Sequence, residues 1–219
     1  MTKKIVVFGA GGHAKTVIDV IEKGKLYTIV GLLDNNKPVG QIVYGYNILG
    51  DDHWLAEHAS SIDGAIVAIG DNWIRGSVVK LLRSIQPSLP FISAIHPSAQ
   101  IARGANIGVG SVVMAGAVVG SDTEIGDHCI LYPNVSVDHD STIDNFVSFA
   151  PRSVTGGNVH IGSFSAIAIS ATVIHGITIG EHCVIGASAT VLSNIAPYTV
   201  AYGTPARFIR TRKQGECYL

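Results

Sequence analysis

Residues 119–148 decide the fold of this chain, and they read VGSDTE IGDHCI LYPNVS VDHDST IDNFVS when cut every six residues. The same cut runs without insertion from Ile95 to Ala196 and gives 17 hexads. Their first residue is Ile, Val, Leu or Phe in 16 cases, with Thr155 as the exception, and their fifth residue is never large or charged. One bulky and one small inward residue every six positions predict a parallel β-helix, in which three hexads close each triangular coil.

The predicted prism has two ends that must be covered. Seventeen hexads make about 5.7 coils, or about 27 Å of height at about 4.8 Å per coil. End coils expose unpaired backbone, so we expect the residues after Ala196 to cap one end and the first 94 residues to cap the other. Inside the prism, the fifth-position Cys129 and Cys183 are predicted to be small buried apolar residues and not ligands.

The first half of the chain has the pattern of a small nucleotide-binding unit. KIVVF (4–8) is typical of a buried strand, GAGGHA follows it, and TVIDVIEKG (16–24) has apolar residues at helical spacing. Gly9, Gly11 and Ala14 occupy the places of a G-x-G-x-x-A turn, which brings phosphate to the N-terminus of a helix. This motif is weak when it stands alone.

Two further strands strengthen that interpretation. YTIVGLLD and GAIVAIG are apolar runs, and a parallel sheet would bring the chain at Phe8, Asp34 and Gly70 to one crevice. An acid at the place of Asp34 usually binds a ribose or a base, although an Asp-Asn pair also forms turns. About 90 residues are too few for two mononucleotide halves, so one sugar nucleotide is a better expectation than a dinucleotide.

The chain therefore divides into three predicted parts. A Rossmann-like α/β domain covers residues 1–94, the β-helix covers 95–209, and a tail covers 210–219. The connection PSLPFISAIHPSAQ contains three prolines and no flexible linker, which predicts rigid packing of the two domains.

Charge and hydropathy exclude several functional classes. Fifteen basic and 16 acidic residues give a net charge of −1, and no basic stripe indicates a nucleic-acid partner. No apolar run approaches the roughly 18 residues of a membrane span, and MTKKIVVFGAGG is a poor signal peptide. Three cysteines form no motif, and this sparse, odd count fits a reducing cytoplasm.

The stretch VDHDST puts an acid beside a histidine in an otherwise apolar region. His139 is the third residue of its hexad and points outward at a corner, and Gly157 and His175 follow one and two coils later in the same column. A histidine whose basicity is raised by Asp140 is suited to the role of a general base. Gly157 would leave a notch beside His139, and the nearby Thr155 marks where the core pattern bends. The alternative is a solvated corner.

Five stretches, FGAGGHAK, GLLDNN, VAIGDNWIR, VDHDSTI and AYGTPA, together resemble one branch of the hexapeptide-repeat acyltransferase superfamily. That branch contains bacterial N-acetyltransferases of nucleotide-activated amino sugars and the related sialic acid O-acetyltransferases. The resemblance implies a left-handed β-helix, a homotrimer, and acetyl-CoA-dependent acetylation of the amine of a nucleotide-linked amino sugar for bacterial surface-glycan or glycoprotein biosynthesis. It also implies that His139 is the general base for acyl transfer from the thioester and Asp140 its acidic neighbour. The thin pantetheine arm of the cofactor would then lie in the notch at Gly157.

The same resemblance assigns the binding residues. The sugar nucleotide would be bound by Gly11, Gly12, His13, Asp34, Asn35 and Gly70. Acetyl-CoA would be bound by Ser148, Gly157, Ile169, Ala187 and Gly203. One position departs from the branch, whose amino-sugar enzymes often carry a second histidine nine residues after the base, where this chain has Ser148.

Other functions stay open on the sequence alone. O-acetylation of the sialic acid type needs the same base as N-acetylation. A metal-dependent hydratase on the same prism would bind zinc through His139, His160 and His175, but two of these lie roughly 10 Å apart along the prism, so we expect no metal. A nucleotide-binding regulator with a degenerate prism is favoured only by Thr155 and Ser148, and a dehydrogenase would need a second catalytic lobe.

Overall fold

The computed structural model describes residues 2–218, which form an α/β domain packed on a three-sided prism of short parallel strands. The α/β domain consists of β1 (Lys3–Phe8), α1 (Gly12–Gly24), β2 (Tyr27–Leu33), β3 (Ile42–Val43), β4 (Tyr46–Gly50), α2 (Asp52–His58), a 3-10 turn (Ala59–Ser61), β5 (Gly64–Val67) and α3 (Asn72–Ile85). The sheet order is β3-β4-β2-β1-β5, and each neighbouring pair is parallel except β3 and β4.

The expected strands of the first domain are present as β1, β2 and β5. β5 is shorter than the predicted 64–70 and ends at Val67, although Ala68 N still donates to Phe8 O at 2.7 Å. The β3–β4 hairpin and α2 are not predicted by the sequence pattern, because two to seven residues are too few to show a period. α2 begins instead with a local signal, since the Asp51 side chain accepts from His53 N.

The prism has three faces. The first face contains β7 (Gln100–Ile101), β10 (Val118–Val119), β13 (Ser136–Val137), β16 (Val154–Thr155), β19 (Thr172–Val173) and β22 (Thr190–Val191). The second contains β8 (Asn106–Ile107), β11 (Glu124–Ile125), β14 (Thr142–Ile143), β17 (His160–Ile161) and β20 (Thr178–Ile179). The third contains β6 (Ala94–Ile95), β9 (Val112–Val113), β12 (Ile130–Leu131), β15 (Ser148–Phe149), β18 (Ala166–Ile167), β21 (Val184–Ile185), β23 (Thr199–Tyr202) and β24 (Arg207–Thr211).

The prism has three corners, which we name by their contents. The histidine corner joins the first face to the second and includes residues 120–123, 138–141, 156–159 and 174–177. The aromatic corner joins the second face to the third and includes residues 126–129, 144–147, 162–165 and 180–183. The proline corner joins the third face to the first and includes residues 132–135, 150–153, 168–171 and 186–189.

The hexad register is confirmed by burial. The first-position residues from Val113 to Val191 are all buried, and Thr155 points inward like its apolar counterparts. Cys129 and Cys183 have no exposed surface, as expected for small core residues. The fourth position of most hexads has a positive φ, for example Asp140 at 53° and Asn158 at 54°. Gly, Asn and Asp recur there because they adopt this left-handed conformation most readily.

The first domain packs on the third face of the prism, which corrects our expectation that it caps an end. Val112, Met114 and Ile130 point outward from this face and belong to the same apolar cluster as Ile5 and Ile18. The first coil stays open, and its Ile95 is 38% exposed. The opposite end is capped as expected, because Ala201 and Ala206 of the closing segment are buried in the prism core.

A ladder of rings along the aromatic corner receives α3. The rings stack or meet in the order Phe91, His128, Phe146, Phe164, His182 and Tyr198, with centroids 4.8 to 5.2 Å apart. Gly76 allows the close approach, because a Cβ there would lie 2.8 Å from the Phe164 ring. No helix within residues 2–218 combines the length and the apolar character of a membrane span.

Candidate active site

His139 and Asp140 form a contact pair at the histidine corner. The His139 Nδ1 lies 2.7 Å from Asp140 Oδ2, and the His139 backbone N–H donates to Asp138 Oδ1 at 2.8 Å. The hydrogen bond that His139 donates to Asp140, with the charge of Asp138, raises the pKa of His139. If Nδ1 carries the proton that is shared with the carboxylate, the Nε2 lone pair is available to a substrate.

Two threonine hydroxyls on the core side of the histidine corner hold its backbone in place. Thr155 Oγ1 accepts from Asp138 N at 3.3 Å, and Thr123 Oγ1 donates to Asp138 O at 2.8 Å. The exceptional threonine of the hexad pattern therefore fixes the backbone beside His139. Sequence reasoning noted Thr155 but missed Asp138, whose signal was its place next to the histidine.

Gly157 makes room for the imidazole itself. A Cβ on Gly157 would lie 2.7 Å from both Cε1 and Nε2 of His139, so the ring lies in the notch that we expected a pantetheine arm to use. This packing also brings His139 and His175 closer than expected, with ring centroids 6.3 Å apart. Cofactor contact by Gly157 stays a prediction, and it would have to involve the backbone.

The proposed zinc histidines do not gather around one point. His160 lies on the second face, where its Nε2 is 3.2 Å from Asp144 Oδ1. Within residues 2–218, the side chains close enough to share a metal ion are those of Asp51, Asp52 and His53. This group lies at the start of α2, where Asp51 is already the helix cap.

The glycine turn forms an open site at the N-terminus of α1. Gly9 has φ 101°, and a Cβ there would lie 3.0 Å from Ala68 O, whereas Gly11 and Gly12 face open space. The 13-residue helix has no side-chain cap, so its first N–H groups are free to donate to an anion. Lys15 and Lys37, which sequence reasoning missed, line the adjacent cavity of about 410 Å³.

Asp34 is used to build this turn. Its Oδ2 accepts from Ala10 N at 2.8 Å, and its Oδ1 accepts from Asn36 N at 2.9 Å. The carboxylate forms an Asx turn, as the turn-forming interpretation expects, and Asp34 also lines a small cavity with Gly9 and Asn35. Nucleoside binding by Asp34 and Asn35 stays a prediction.

His13 connects the glycine turn to the proline corner. Its Nδ1 is 3.2 Å from the Tyr132 hydroxyl, and its Nε2 is buried without a partner within the described residues. Burial, with the charge of Arg75, lowers the pKa of His13 to about 4, so the ring is neutral near pH 7. A neutral imidazole leaves an unpaired polar atom that a ligand could satisfy.

A second cavity, of about 340 Å³, lies between the third face and the α/β domain, and we name it the third-face cavity. Three residues predicted to bind acetyl-CoA line it, namely Ser148, Ile169 and Ala187. Gly70, which was predicted to bind the sugar nucleotide, lines the same cavity. Gly203 does not line it and lies on the closing segment, where its carbonyl accepts from Thr190 N at 3.0 Å. Tyr132 and Tyr218, which sequence reasoning missed, complete the walls.

His139 and the third-face cavity lie on different corners of the prism. His139 opens onto a groove along the first face, lined by residues 100–102, 118–121 and 138–140. The cavity lies at the proline corner, and one full face of about six residues, at most roughly 20 Å, separates the two corners. Within one chain, His139 therefore does not line the third-face cavity.

Known proteins share both halves of this arrangement. Residues 4–82 match the family described as the PglD N-terminal domain. The chain is 28% identical over 181 residues to GDP-perosamine N-acetyltransferase of Escherichia coli O157:H7, covering 78% of this chain and 77% of that protein.

Among the solved structures that match nearly the whole fold are two complexes with CoA or acetyl-CoA. One is a histidine-to-alanine mutant of GDP-perosamine N-acetyltransferase from Caulobacter crescentus in complex with CoA and GDP-perosamine, with 31% identity, a TM-score of 0.89 and coverage of 94% of this chain and 97% of that one. The other is the acetyltransferase domain of PglB from Neisseria gonorrhoeae in complex with acetyl coenzyme A, with 30% identity, a TM-score of 0.86 and coverage of 95% and 100%.

Proposed function

The chain belongs to the hexapeptide-repeat acetyltransferases that carry a PglD N-terminal domain, and we propose that His139 is the general base with which it acetylates a nucleotide-linked amino sugar. Its activity is the acetyl-CoA-dependent N-acetylation of such a sugar, which favours the amine over the hydroxyl acceptor. The prism is accordingly a left-handed β-helix. The observation that carries the assignment of the base is the 2.7 Å contact between His139 Nδ1 and Asp140.

The reaction needs one proton to move twice. The amine nitrogen attacks the thioester carbonyl, and His139 Nε2 takes the proton that the nitrogen loses as the new C–N bond forms. The C–S bond then breaks, and the protonated imidazole can return that proton to the CoA thiolate. Asp140 holds Nδ1 and stabilises the charged imidazole between the two steps.

The two substrates are proposed to bind in two different cavities of the chain. The N-terminus of α1, Lys15 and Lys37 would receive the diphosphate of the sugar nucleotide, because they provide N–H donors and positive charge with no acid in the first helical turn. The third-face cavity would receive the arm of acetyl-CoA through Ser148 and Ile169, since its walls are largely apolar.

A homotrimer would complete the site. The first face and its two corners expose large apolar side chains, namely Val118, Ile169, Ile174 and Leu192, which are 40 to 55% exposed. Such a surface is typical of a subunit interface. A threefold arrangement would bring the histidine corner of one subunit beside the proline corner of the next, and so join the base to the cavities. Because acetyl-CoA is used in the cytoplasm, we place the enzyme there, in bacterial surface-glycan or glycoprotein biosynthesis.

The test is a turnover assay with acetyl-CoA and a panel of amino-sugar nucleotides, in which thiol release reports the reaction. His139→Ala should lower kcat by about 10² to 10⁴, while the affinity for CoA persists, because the side chain points away from the core. His160→Ala is the matched control, since it removes a second exposed histidine that contacts a carboxylate. Near-normal turnover of His139→Ala would show that His139 is not the general base and that VDHDST is a solvated corner.

A further inference from the structure

The C-terminal tail, residues 212–218, folds back against the start of α3, and its Tyr218 lines the third-face cavity. Arg212 N donates to Tyr198 O at 2.8 Å, and its side chain contacts the carbonyl oxygens of His182 and Glu216. Arg210 and Glu216 form an ion pair at 2.6 Å. At Gly215, with φ 73°, the chain passes so close to Trp73 that a Cβ would lie 2.7 Å from its Nε1. The tail is therefore anchored on both sides of its turn.

This path delivers the Tyr218 hydroxyl to a polar point in an apolar cavity. Asn72 N–H, at the start of α3, donates to that hydroxyl at 3.3 Å, and Ser148 Oγ lies 3.3 Å from it. The Arg212 guanidinium lies over the Tyr218 ring, 5.5 Å from its centroid. Most other side chains that line the cavity are aliphatic, among them Ala166, Ile167, Ala168, Ile169 and Val184.

The hydroxyl is arranged to donate. Because the Asn72 N–H occupies an acceptor site on the oxygen, the hydroxyl proton of Tyr218 is directed towards Ser148 or the cavity. A hydroxyl that accepts one hydrogen bond is also a better donor of the next. Burial is the main cause that raises the pKa of Tyr218, so the group keeps its proton near pH 7.

Ser148 is the residue of its column that carries a short polar side chain at this point. It is buried, faces outward from the third face, and its column otherwise contains Ile130, Ala166 and Val184. The tail thus adds a second hydroxyl where the prism provides one. A pantetheine arm has carbonyl oxygens that need donors when they leave water, and the third-face cavity offers few other polar side chains to supply them.

We propose that Tyr218, paired with Ser148, donates a hydrogen bond to a carbonyl oxygen of the acyl-pantetheine arm of acetyl-CoA. This assignment rests on the proposed function, because it takes the third-face cavity as the cofactor site. It makes the C-terminal tail part of the cofactor site, with Asn72 as the residue that positions the hydroxyl.

The test compares Tyr218→Phe with Tyr198→Phe in the full-length protein. Tyr198 is the matched control, because its hydroxyl also has a partner, Glu181 at 3.0 Å, but does not line the cavity. By calorimetry, Tyr218→Phe should weaken the Kd of acetyl-CoA about three- to tenfold, as expected for one lost hydrogen bond, and Tyr198→Phe should leave it unchanged. The KM for the sugar nucleotide and the Tm should stay close to those of the wild type in both variants.

Two further variants distinguish a Tyr218 that donates a hydrogen bond to acetyl-CoA from a Tyr218 that only blocks the third-face cavity. Ser148→Ala combined with Tyr218→Phe should weaken binding by less than the sum of the single effects, because the two hydroxyls act on one site. A chain truncated after Cys217 should bind acetyl-CoA more weakly than the wild type. Unchanged binding in Tyr218→Phe, or tighter binding after truncation, would overturn the proposal. Failure of the wild type itself to bind acetyl-CoA would instead overturn the proposed function, and this inference with it.

Discussion

At the residue scale, one backbone conformation brings together the adjacent side chains of the proposed catalytic pair. Asp140 has φ 53°, and its carboxylate turns back to the ring of the preceding residue. The same left-handed position recurs at most turns of the prism, so the pair uses an ordinary feature of this fold. What distinguishes it is the hydroxyl support beneath Asp138 and the glycine that accepts the ring.

Asp140→Asn should shift the pH dependence of turnover. Asp140 is the first cause that raises the pKa of His139, and removal of its charge destabilises the imidazolium, so that pKa falls. His139 then stays neutral down to a lower pH, so the acidic limb of the kcat/KM profile should shift to lower pH. The plateau should also drop, by less than the about 10²-fold expected for loss of the base, because a weaker base accepts the proton less well.

The control for this change is Asp144→Asn, which breaks the similar contact with His160. Asp144→Asn should leave both the pH of the acidic limb and the plateau value of kcat/KM as they are in the wild type. An acidic limb that does not move in Asp140→Asn would mean that another group sets it.

Asp34→Ala should raise the KM for the sugar nucleotide roughly ten- to a hundredfold, as expected for loss of a charge-assisted contact, with little change for acetyl-CoA. The carboxylate accepts from Ala10 N within the glycine turn, so its loss also loosens the proposed phosphate site. Steady-state kinetics with each substrate varied in turn would measure this split. Asp63→Ala is the control, since Asp63 accepts from Lys4 N at 2.7 Å away from the turn. An equal rise in both KM values would indicate general loosening of the fold.

At the element scale, α3 is the link between the two domains. Its first turn provides Asn72, whose side chain donates to Ser165 O at 3.0 Å, and Arg75, which is 1% exposed. The Arg75 guanidinium donates to five acceptors, which are the carbonyl oxygens of His128, Ile69, Gly70 and Phe146 and the side-chain oxygen of Asn72. The charge has no carboxylate partner among these, so it is stabilised by dipoles from both domains at once.

Arg75→Ala should lower the free energy of unfolding by about 3–5 kcal/mol, because it leaves buried carbonyl groups unpaired and opens a cavity. For a chain of this size that corresponds to a fall in Tm of roughly 6–20 °C, measurable by calorimetry. Lys80→Ala on the same helix is the control, because Lys80 is exposed. A Tm within a degree or two of the wild type would show that the domains are held together elsewhere.

At the scale of the whole molecule, the separation of the two corners leads to the proposal that the active site is shared between subunits. His139 opens onto the groove along the first face of its own chain. The third-face cavity lies at the opposite corner of that face, which is the proline corner. Exposed apolar side chains on the first face and both of its corners provide the surface on which a second copy would pack.

Mixing two inactive variants tests this arrangement. His139→Ala lacks the base, and Ala187→Trp would fill the third-face cavity. If each site combines the histidine corner of one subunit with the proline corner of the next, subunit exchange in an equal mixture should restore about a quarter of the wild-type activity, since each half is intact with even odds. Each variant alone, incubated identically, is the control. A mixture as inactive as its components, or a monomeric mass with full activity, would contradict the shared site.

The sequence by itself determined the β-helix, its inward residues, the α/β unit before it, and His139 at an outward corner. These follow from local periods, because the side-chain direction in a strand or helix repeats over a few residues. The sequence also predicted strands β1, β2 and β5 of the α/β domain. It did not predict the β3–β4 hairpin, which is too short to show a period.

Only the tertiary structure decided which face the first domain covers, that the His139 ring fills the space above Gly157, and that Tyr218 enters the cavity. These depend on contacts such as His13 with Tyr132, 119 residues apart, and Asn72 with Tyr218, 146 residues apart. Such contacts leave no periodic trace, because they are set by the packing of whole surfaces and not by the repeat of the chain.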